Sequence, residues 1–421
     1  MKKYRKLTKE ELINEYLDTA LLAGRISLEN GGETARSEDT MKYILESSGI
    51  EDSFADVTST TLFASLGDKT KVSKISRWDN NLNKVCIVNS VSRNLCNGKT
   101  TIREAHRLLT KAQNDVIYPL WVRLGASMMT AALLPLFSGS NPMNCVAAII
   151  NGLIIGLAGE VFSHIHIRYF IVNIFQGLLM VLMTDLFAIV FSGMIDTNEV
   201  LAASIAPMLP GIALTNGVRD LLSGDYLSGA GRMMEALVKA LSIALGVAAG
   251  LSLQKFYTIP VASAQFTIPG TLLIWLQIPA AYIIAVGYAV KMVNPVRSIW
   301  GSALVGAVGR LAFTFLMQFT AVSETIATFA ATILIALMGN LMARRFKTPT
   351  IVYLISGIMC LVPGISLYQS VYGFVFGDMS QFRSQLVNTL LISGAIAVAV
   401  FFVDTGFNIL TRAKNKTLFL K

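Results

Sequence analysis

Two regimes of hydrophobic patterning meet near Tyr118. Before it, apolar residues recur at helical spacing with charges between them. Leu12, Ile13, Tyr16, Leu17, Ala20, Leu21 and Ala23 form one stripe, which predicts a helix from Leu7 to Asn30, closed by Gly31-Gly32. A second helix is predicted from about Glu33 to Ser47, with Gly49 as its stop. The period then shortens. Phe54 to Leu66 is rich in Thr, Val and Phe, Lys69 to Trp78 alternates loosely, and Gly67-Asp68 lies between, so a β-hairpin is expected. Two more helices follow, at about Asn81 to Cys96 and Thr101 to Gln113, the last opened by a Thr101/Glu104 capping-box pattern. Residues 1–117 therefore read as a small soluble α+β domain.

After Pro119 the apolar blocks become long. A bilayer crossing needs about 20 apolar residues. Ten such spans are predicted, at 119–137, 142–163, 169–192, 198–218, 233–253, 270–290, 296–318, 325–343, 350–373 and 386–410. The fold class expected is a polytopic α-helical membrane protein with ten transmembrane helices. They form two inverted five-helix repeats, 118–255 and 256–421, after the soluble domain.

The repeat is visible in single residues. Leu209-Pro210-Gly211-Ile212-Ala213-Leu214-Thr215-Asn216 recurs as Val362-Pro363-Gly364-Ile365-Ser366-Leu367-Tyr368-Gln369. Pro363 lies 153 positions after Pro210; Asn294-Pro295 and Gly377-Asp378 lie the same 153 after Asn141-Pro142 and Gly224-Asp225. Three dipeptides in one gapless register indicate a duplication. Five spans per copy would give the copies opposite orientations.

Composition agrees. Charged residues make up 14% of the chain, against roughly 25% in soluble domains. Of the 26 acidic residues, 16 precede Tyr118, so the remainder of the chain is both apolar and net basic. With the N-terminal domain inside, inner loops and tail hold twelve Lys and Arg (Arg168, Arg219, Arg232, Lys291, Arg297, Arg344, Arg345, Lys347, Arg412, Lys414, Lys416, Lys421) and outer loops two, Lys255 and Arg383. That asymmetry predicts both termini in the cytoplasm and assigns the basic excess to anionic lipid, not nucleic acid. The first apolar run, Tyr16 to Ala23, is short and interrupted by Asp18, so it does not read as a signal peptide. The four cysteines show no paired spacing, and no metal or cofactor is expected.

Pro-Gly inside a span frees backbone groups that lipid cannot satisfy, unless the break lines a wet cavity. Two matched breaks point to a solute site, with half-helix ends to hold a carboxylate and free carbonyls to hold an ammonium. The candidate substrate-binding residues are Pro210, Gly211, Thr215, Asn216, Pro363, Gly364, Ser366, Tyr368 and Gln369. A simple proline kink is the alternative at either break taken alone.

Intramembrane ionisable groups are costly and often functional. Asp185 and Arg310 sit about 17 and about 14 residues from the inner ends of their spans, similar depths at ~1.5 Å per residue. They are candidates for a salt bridge or for proton coupling. Glu160, near an inner end, competes as a proton acceptor with simple exposure to cytoplasmic water, and Asp404 is similar. Arg219 and Asp220 follow the first break and suit an inner gate. His164 and His166 read as interfacial and His106 as structural. Arg25, Arg36, Glu38 and Asp39 read first as a solvated helix face.

The chain resembles the threonine/serine exporter family. The resemblance rests on Ala23-Gly24 through Gly31-Gly32-Glu33-Thr34-Ala35-Arg36-Ser37-Glu38 with Gly49, and on Pro210-Gly211 with Arg219-Asp220-Leu221-Leu222-Ser223-Gly224-Asp225 and Gly229. It extends to Pro363-Gly364-Ile365-Ser366-Leu367-Tyr368-Gln369-Ser370-Val371-Tyr372-Gly373. It implies a secondary transporter, not an enzyme, that exports threonine and serine across the bacterial inner membrane, driven by protons. Two-subunit relatives associated with succinate keep a dicarboxylate open as substrate. A homo-oligomer is compatible with the sequence. A membrane-anchored enzyme or receptor acting through residues 1–117 is the competing class.

Overall fold

The computed structural model describes residues 8–419 except 59, 76–79, 116, 133, 138–140, 166, 192–193, 223 and 260–269, and for some helical positions the backbone alone. The chain divides into two compact units. One comprises residues 1–117 with the short segments 292–296 and 343–352; the other holds the remainder.

The first unit opens with α1 (Lys9–Glu29). Thr8 caps it: its hydroxyl accepts the Glu11 N–H at 3.2 Å, and the Glu11 carboxylate accepts the Thr8 N–H at 2.8 Å. The predicted stripe is the buried face, with Leu17, Ala20 and Ala23 wholly covered. Gly24 lies against α2 (Thr34–Glu46); a Cβ there would stand 2.3 Å from Met41 Sδ, so a larger residue would force the Met41 side chain to move. Three antiparallel strands follow in the order β1 (Ser53–Val57), β2 (Thr61–Leu66) and β3 (Lys69–Lys74). The hairpin at Gly67 is present, with Leu62 opposite Ser73 and Leu66 opposite Lys69. The single strand expected from Phe54 to Leu66 is two. Thr58 turns the chain by accepting the Thr61 N–H on its hydroxyl at 3.0 Å and donating its own N–H to Thr61 C=O at 2.9 Å. The expected strand end at Trp78 lies outside the described residues. Helices α3 (Leu82–Cys96) and α4 (Ile102–Gln113) complete the layer on α1, and Thr101 caps α4 by accepting the Glu104 N–H.

The same unit holds two inter-helix segments from far along the chain. The N–H groups of Leu82 and Asn83, in the first turn of α3, donate to the carbonyls of Met292 and Val293 at 2.9 Å each. The Asn294 amide, fully buried, donates to Val352 C=O at 2.9 Å.

The second unit is helical. Its elements are α5 (Leu120–Ala132), α6 (Leu134–Phe137), α7 (Pro142–Ile165), α8 (Tyr169–Val190), α9 (Thr197–Ile205), α10 (Gly211–Leu222), α11 (Tyr226–Leu253), α12 (Gly270–Lys291), α13 (Ile299–Phe319), most of α14 (Glu324–Phe346) and of α15 (Ile351–Ile358), whose facing ends belong to the first unit, α16 (Gly364–Phe376) and α17 (Met379–Phe419). Trp121, Tyr169, Tyr226 and Trp300 stand exposed at the starts of their helices, while Phe175, Val190 and Phe402 project from the flanks. Apolar flanks with aromatic ends suit lipid and its interface.

Ten spans were expected. Among the described residues six helices are long and apolar enough to cross a bilayer, or seven if the pair α9 and α10, bent by 51°, counts as one. The shortfall is where helices stop early. The first predicted span ends its main helix at Ala132 and α15 halts at Ile358 before Pro363, whereas α12 runs for 22 residues with Pro279 inside it.

The spacing of 153 reappears in the elements: Gly211 and Gly364 open α10 and α16, and Tyr226 and Met379 open α11 and α17. Asp225 and Asp378 cap α11 and α17 alike, accepting the N–H of Ser228 at 3.1 Å and of Gln381 at 2.9 Å. Gly224 and Gly377 before them share a left-handed backbone, φ +89° and +81°. The packing is crossed as well: α10 lies on α11 and on α17, and α16 lies on α17 and on α11.

Candidate functional site

Both predicted breaks are real interruptions. At the first, α9 tightens into a 3-10 turn over Ala206–Met208, Leu209 is extended at φ −67°, ψ 140°, and α10 begins after Pro210. The break leaves Pro207 C=O outside the helical ladder, and Lys291 Nζ at the end of α12 donates to it at 2.7 Å. At the second, α15 ends at Ile358, whose carbonyl accepts from Leu361 N–H at 2.7 Å and Val362 N–H at 3.1 Å. Pro363, which has no N–H to offer, then starts α16 and accepts the Leu367 N–H at 3.1 Å.

The two breaks face one cavity of about 450 Å³. Leu209 lines it from the first; Val362, Pro363 and Ser366 line it from the second. The volume lies in the range of small-molecule sites, about 300–1,000 Å³. Arg310, Glu199 and Glu324 bring charge to the same walls. Glu199 is held at the start of α9, where Asp196 caps its N–H at 3.2 Å and Asn144 Nδ2 donates to its carboxylate at 3.1 Å. Glu324 opens α14 and is exposed.

Arg310 has unusual company. Its guanidinium carbon lies 4.1 Å from the ring centre of Phe137 and 5.1 Å from that of Phe313. Its Nε is buried and makes no hydrogen bond. Phe137 is itself fixed: its carbonyl accepts from Gln277 Nε2 at 2.9 Å, and Gln277 Oε1 accepts from the Thr314 hydroxyl at 3.0 Å.

The expected Asp185–Arg310 salt bridge is absent. Asp185, 2% exposed, accepts instead from the Tyr257 hydroxyl at 2.6 Å and from Gln254 Nε2 at 3.1 and 3.2 Å. Burial, then the bond to Asp185, push the Tyr257 phenol up to about 12, so it remains a donor throughout the physiological range. Similar depth along two helices did not bring the groups to the same side.

The other gating candidates are paired. Glu160 meets Arg123 at 2.9 Å, Arg219 meets Asp404 at 2.6 Å, and Asp220 meets Arg232 at 3.0 Å. Asn340 Nδ2 adds a bond to Asp404 at 2.9 Å, so this cluster joins α10, α14 and α17. Of the candidate substrate residues, the cavity collects Pro363 and Ser366. Tyr368 packs instead in an apolar cluster with Leu214, Ile243 and Val247, its ring 5.8 Å from that of Tyr372. Thr215 is buried in α10 with an unbonded hydroxyl, and Asn216 and Gln369 are half-buried on their helices. Gly211 and Gly364 contribute backbone at the two helix starts. His166 and the side chain of His164 lie outside the described residues.

Among the described residues no group of three or more His, Cys, Asp or Glu is arranged to hold a metal ion. Glu199, Glu324 and Phe137 were not anticipated. The signal available was two acidic residues at helix starts in a region otherwise poor in charge, beside an Arg with no acidic residue within four positions.

The family model described as "Putative threonine/serine exporter" matches residues 18–254, and a second, "Threonine/Serine exporter, ThrE", matches 277–405. The chain belongs to the threonine/serine exporter family. Among relatives of this family, the "Threonine/serine exporter" of Corynebacterium glutamicum is 24% identical over 407 residues, covering 94% of this chain and 83% of its own. The "Probable threonine/serine exporter" of Mycobacterium tuberculosis is 20% identical over 409 residues, covering 92% and 76%. No solved structure matches the chain significantly. Membership makes the chain a multi-pass transport protein, and the two family matches cover both helix breaks.

Proposed function

We propose that this exporter-family chain moves threonine and serine out of the cytoplasm by secondary active transport, coupled to protons. The observation that carries the reading is a cavity sized for a small solute and walled by both helix breaks together. Interrupted helices from two halves meeting at one site are what alternating access requires. In this reading each half contributes five crossings, with α9 and α10 forming one bent span and α15 and α16 another. The halves, 118–255 and 256–421, are inverted with respect to each other and rock about the cavity. Residues 1–117 and the basic tail lie in the cytoplasm, and the membrane is the bacterial inner membrane. The names of the relatives supply the substrate class.

The test is uptake into inverted membrane vesicles, where export becomes accumulation. Labelled threonine should accumulate faster with an acid lumen than without a pH gradient, and labelled succinate should not. Succinate uptake in place of threonine would replace the substrate; flux insensitive to the gradient would remove proton coupling.

A further inference from the structure

We infer that Arg310 is the anchor for the substrate's carboxylate, with Glu199 and Glu324 receiving its ammonium, so that the cavity selects zwitterions over dicarboxylates. This rests on the transport reading above and assigns the chemistry of its site.

Three observations meet here. First, Arg310 brings a half-buried guanidinium to the cavity, and among the described residues no carboxylate forms a salt bridge with it, Glu324 on the same wall acting on it only at longer range. Its buried Nε–H without an acceptor is costly, and a ligand carboxylate would offset that cost. Second, Phe137 and Phe313 cover the guanidinium. Ring faces attract a cation but accept none of its hydrogen bonds in the plane of the fork. Those N–H groups, the buried Nε–H among them, remain available for a carboxylate, which matches the fork in a bidentate pair. Third, the remaining charge on the walls is negative. The Glu199 carboxylate accepts from Asn144 and its backbone N–H is capped by Asp196, which positions it on the wall.

One cation and two carboxylates suit a ligand with one negative and one positive end. A dicarboxylate would satisfy Arg310 and then set its second charge against the glutamates, where like charges repel. Ser366, on the wall formed by α16, offers a hydroxyl to a small polar side chain. Pro363 beside it fixes the turn that brings Ser366 to the wall.

The experiment measures competition against labelled threonine on the full-length protein in nanodiscs, using threonine methyl ester (no carboxylate), 3-hydroxybutyrate (no ammonium) and succinate. The wild type should bind threonine at least about tenfold tighter than each, as losing one charge-assisted pair implies. Arg310→Gln should bind threonine and its ester equally, and Arg310→Lys should keep part of the difference. Glu324→Gln should narrow the gap between threonine and 3-hydroxybutyrate. An Arg310→Gln protein that still rejects the ester overturns the assignment. If that variant does not fold, the wild type decides alone: ester bound as tightly as threonine, or succinate bound more tightly, overturns it. Threonine uptake in vesicles without ester discrimination would sink the anchor and leave the transport reading standing; binding and uptake of no amino acid would sink both.

Discussion

At the scale of single residues, the helical unit depends on what is missing as much as on what is present. Gly246 on α11 lies so close to α8 that a Cβ would stand 2.1 Å from Ile174 C=O. That atom is backbone and cannot rotate away. Gly246→Ala should therefore lower stability by about 1–3 kcal/mol, the usual cost of overpacking. Gly394→Ala, within α17 and where a Cβ meets nothing within 4 Å, should not lower it, the better helix former adding up to about 0.5–1 kcal/mol. Thermal melting of both variants in one detergent makes the comparison, and equal melting points would deny the close approach. Asp185 poses a different question, since its three hydrogen bonds satisfy it structurally. If it also carries the coupled proton, Asp185→Asn vesicles should accumulate threonine at a rate indifferent to the pH gradient. Retention of the full gradient response would leave Asp185 as a structural acceptor.

At the scale of elements, the breaks were legible because Pro and Gly act locally: Pro removes an N–H wherever it stands, and the 153-residue register showed that it does so twice. What holds each break was not legible. Hydropathy and depth give a residue its height along a helix but not its azimuth, so Arg310 and Asp185 looked like partners and are not. Arg219 finds Asp404 from 185 positions away for the same reason. Residues 153 apart even reverse the chemistry of that contact: Arg219 and Asp404 correspond to Tyr372 and Leu251, both at the edge of an apolar cluster. One crossed junction is ionic and the other oily, so the copies have diverged in their contacts while keeping their element boundaries. Lys291 is the clearest case of a partner hidden from the sequence. By sequence it reads as a loop charge, yet it donates to the carbonyl that the first break exposes. Lys291→Met should leave Pro207 C=O unmatched in a buried place and cost about 1–3 kcal/mol of stability. Threonine uptake should fall with it, because the shape of the break changes. A Met variant with wild-type melting and flux would show that water serves Pro207 equally well.

At the scale of the whole molecule, the change in charge density near Tyr118 marked where one kind of chain gives way to another. It gave no hint that the first compact unit also takes in residues 292–296 and 343–352. The 292–296 segment is held on α3 by main-chain hydrogen bonds, which carry no side-chain signature that a sequence could display, and 343–352 is tied to it by the Asn294 side chain. The amides of Leu82 and Asn83 make the point testable. First-turn N–H groups of a helix have no partner within it and ordinarily exchange with solvent. Here they donate to Met292 and Val293, and Asn81 caps the helix through Lys84 N–H at 3.2 Å. In the full-length protein the Leu82 and Asn83 amides should resist hydrogen exchange as strongly as those in the middle of α3. Lengthening the 292–296 segment with three glycines should release that protection by at least about tenfold, since opening the contact then costs less. The middle of α3 should stay protected in the same sample, because its bonds are internal. Fast exchange at Leu82 and Asn83 in the unmodified protein would mean that the segment does not rest on α3 in solution. If protection is lost and threonine flux also changes, the first compact unit acts on transport through this strap, by way of the helices on either side of it.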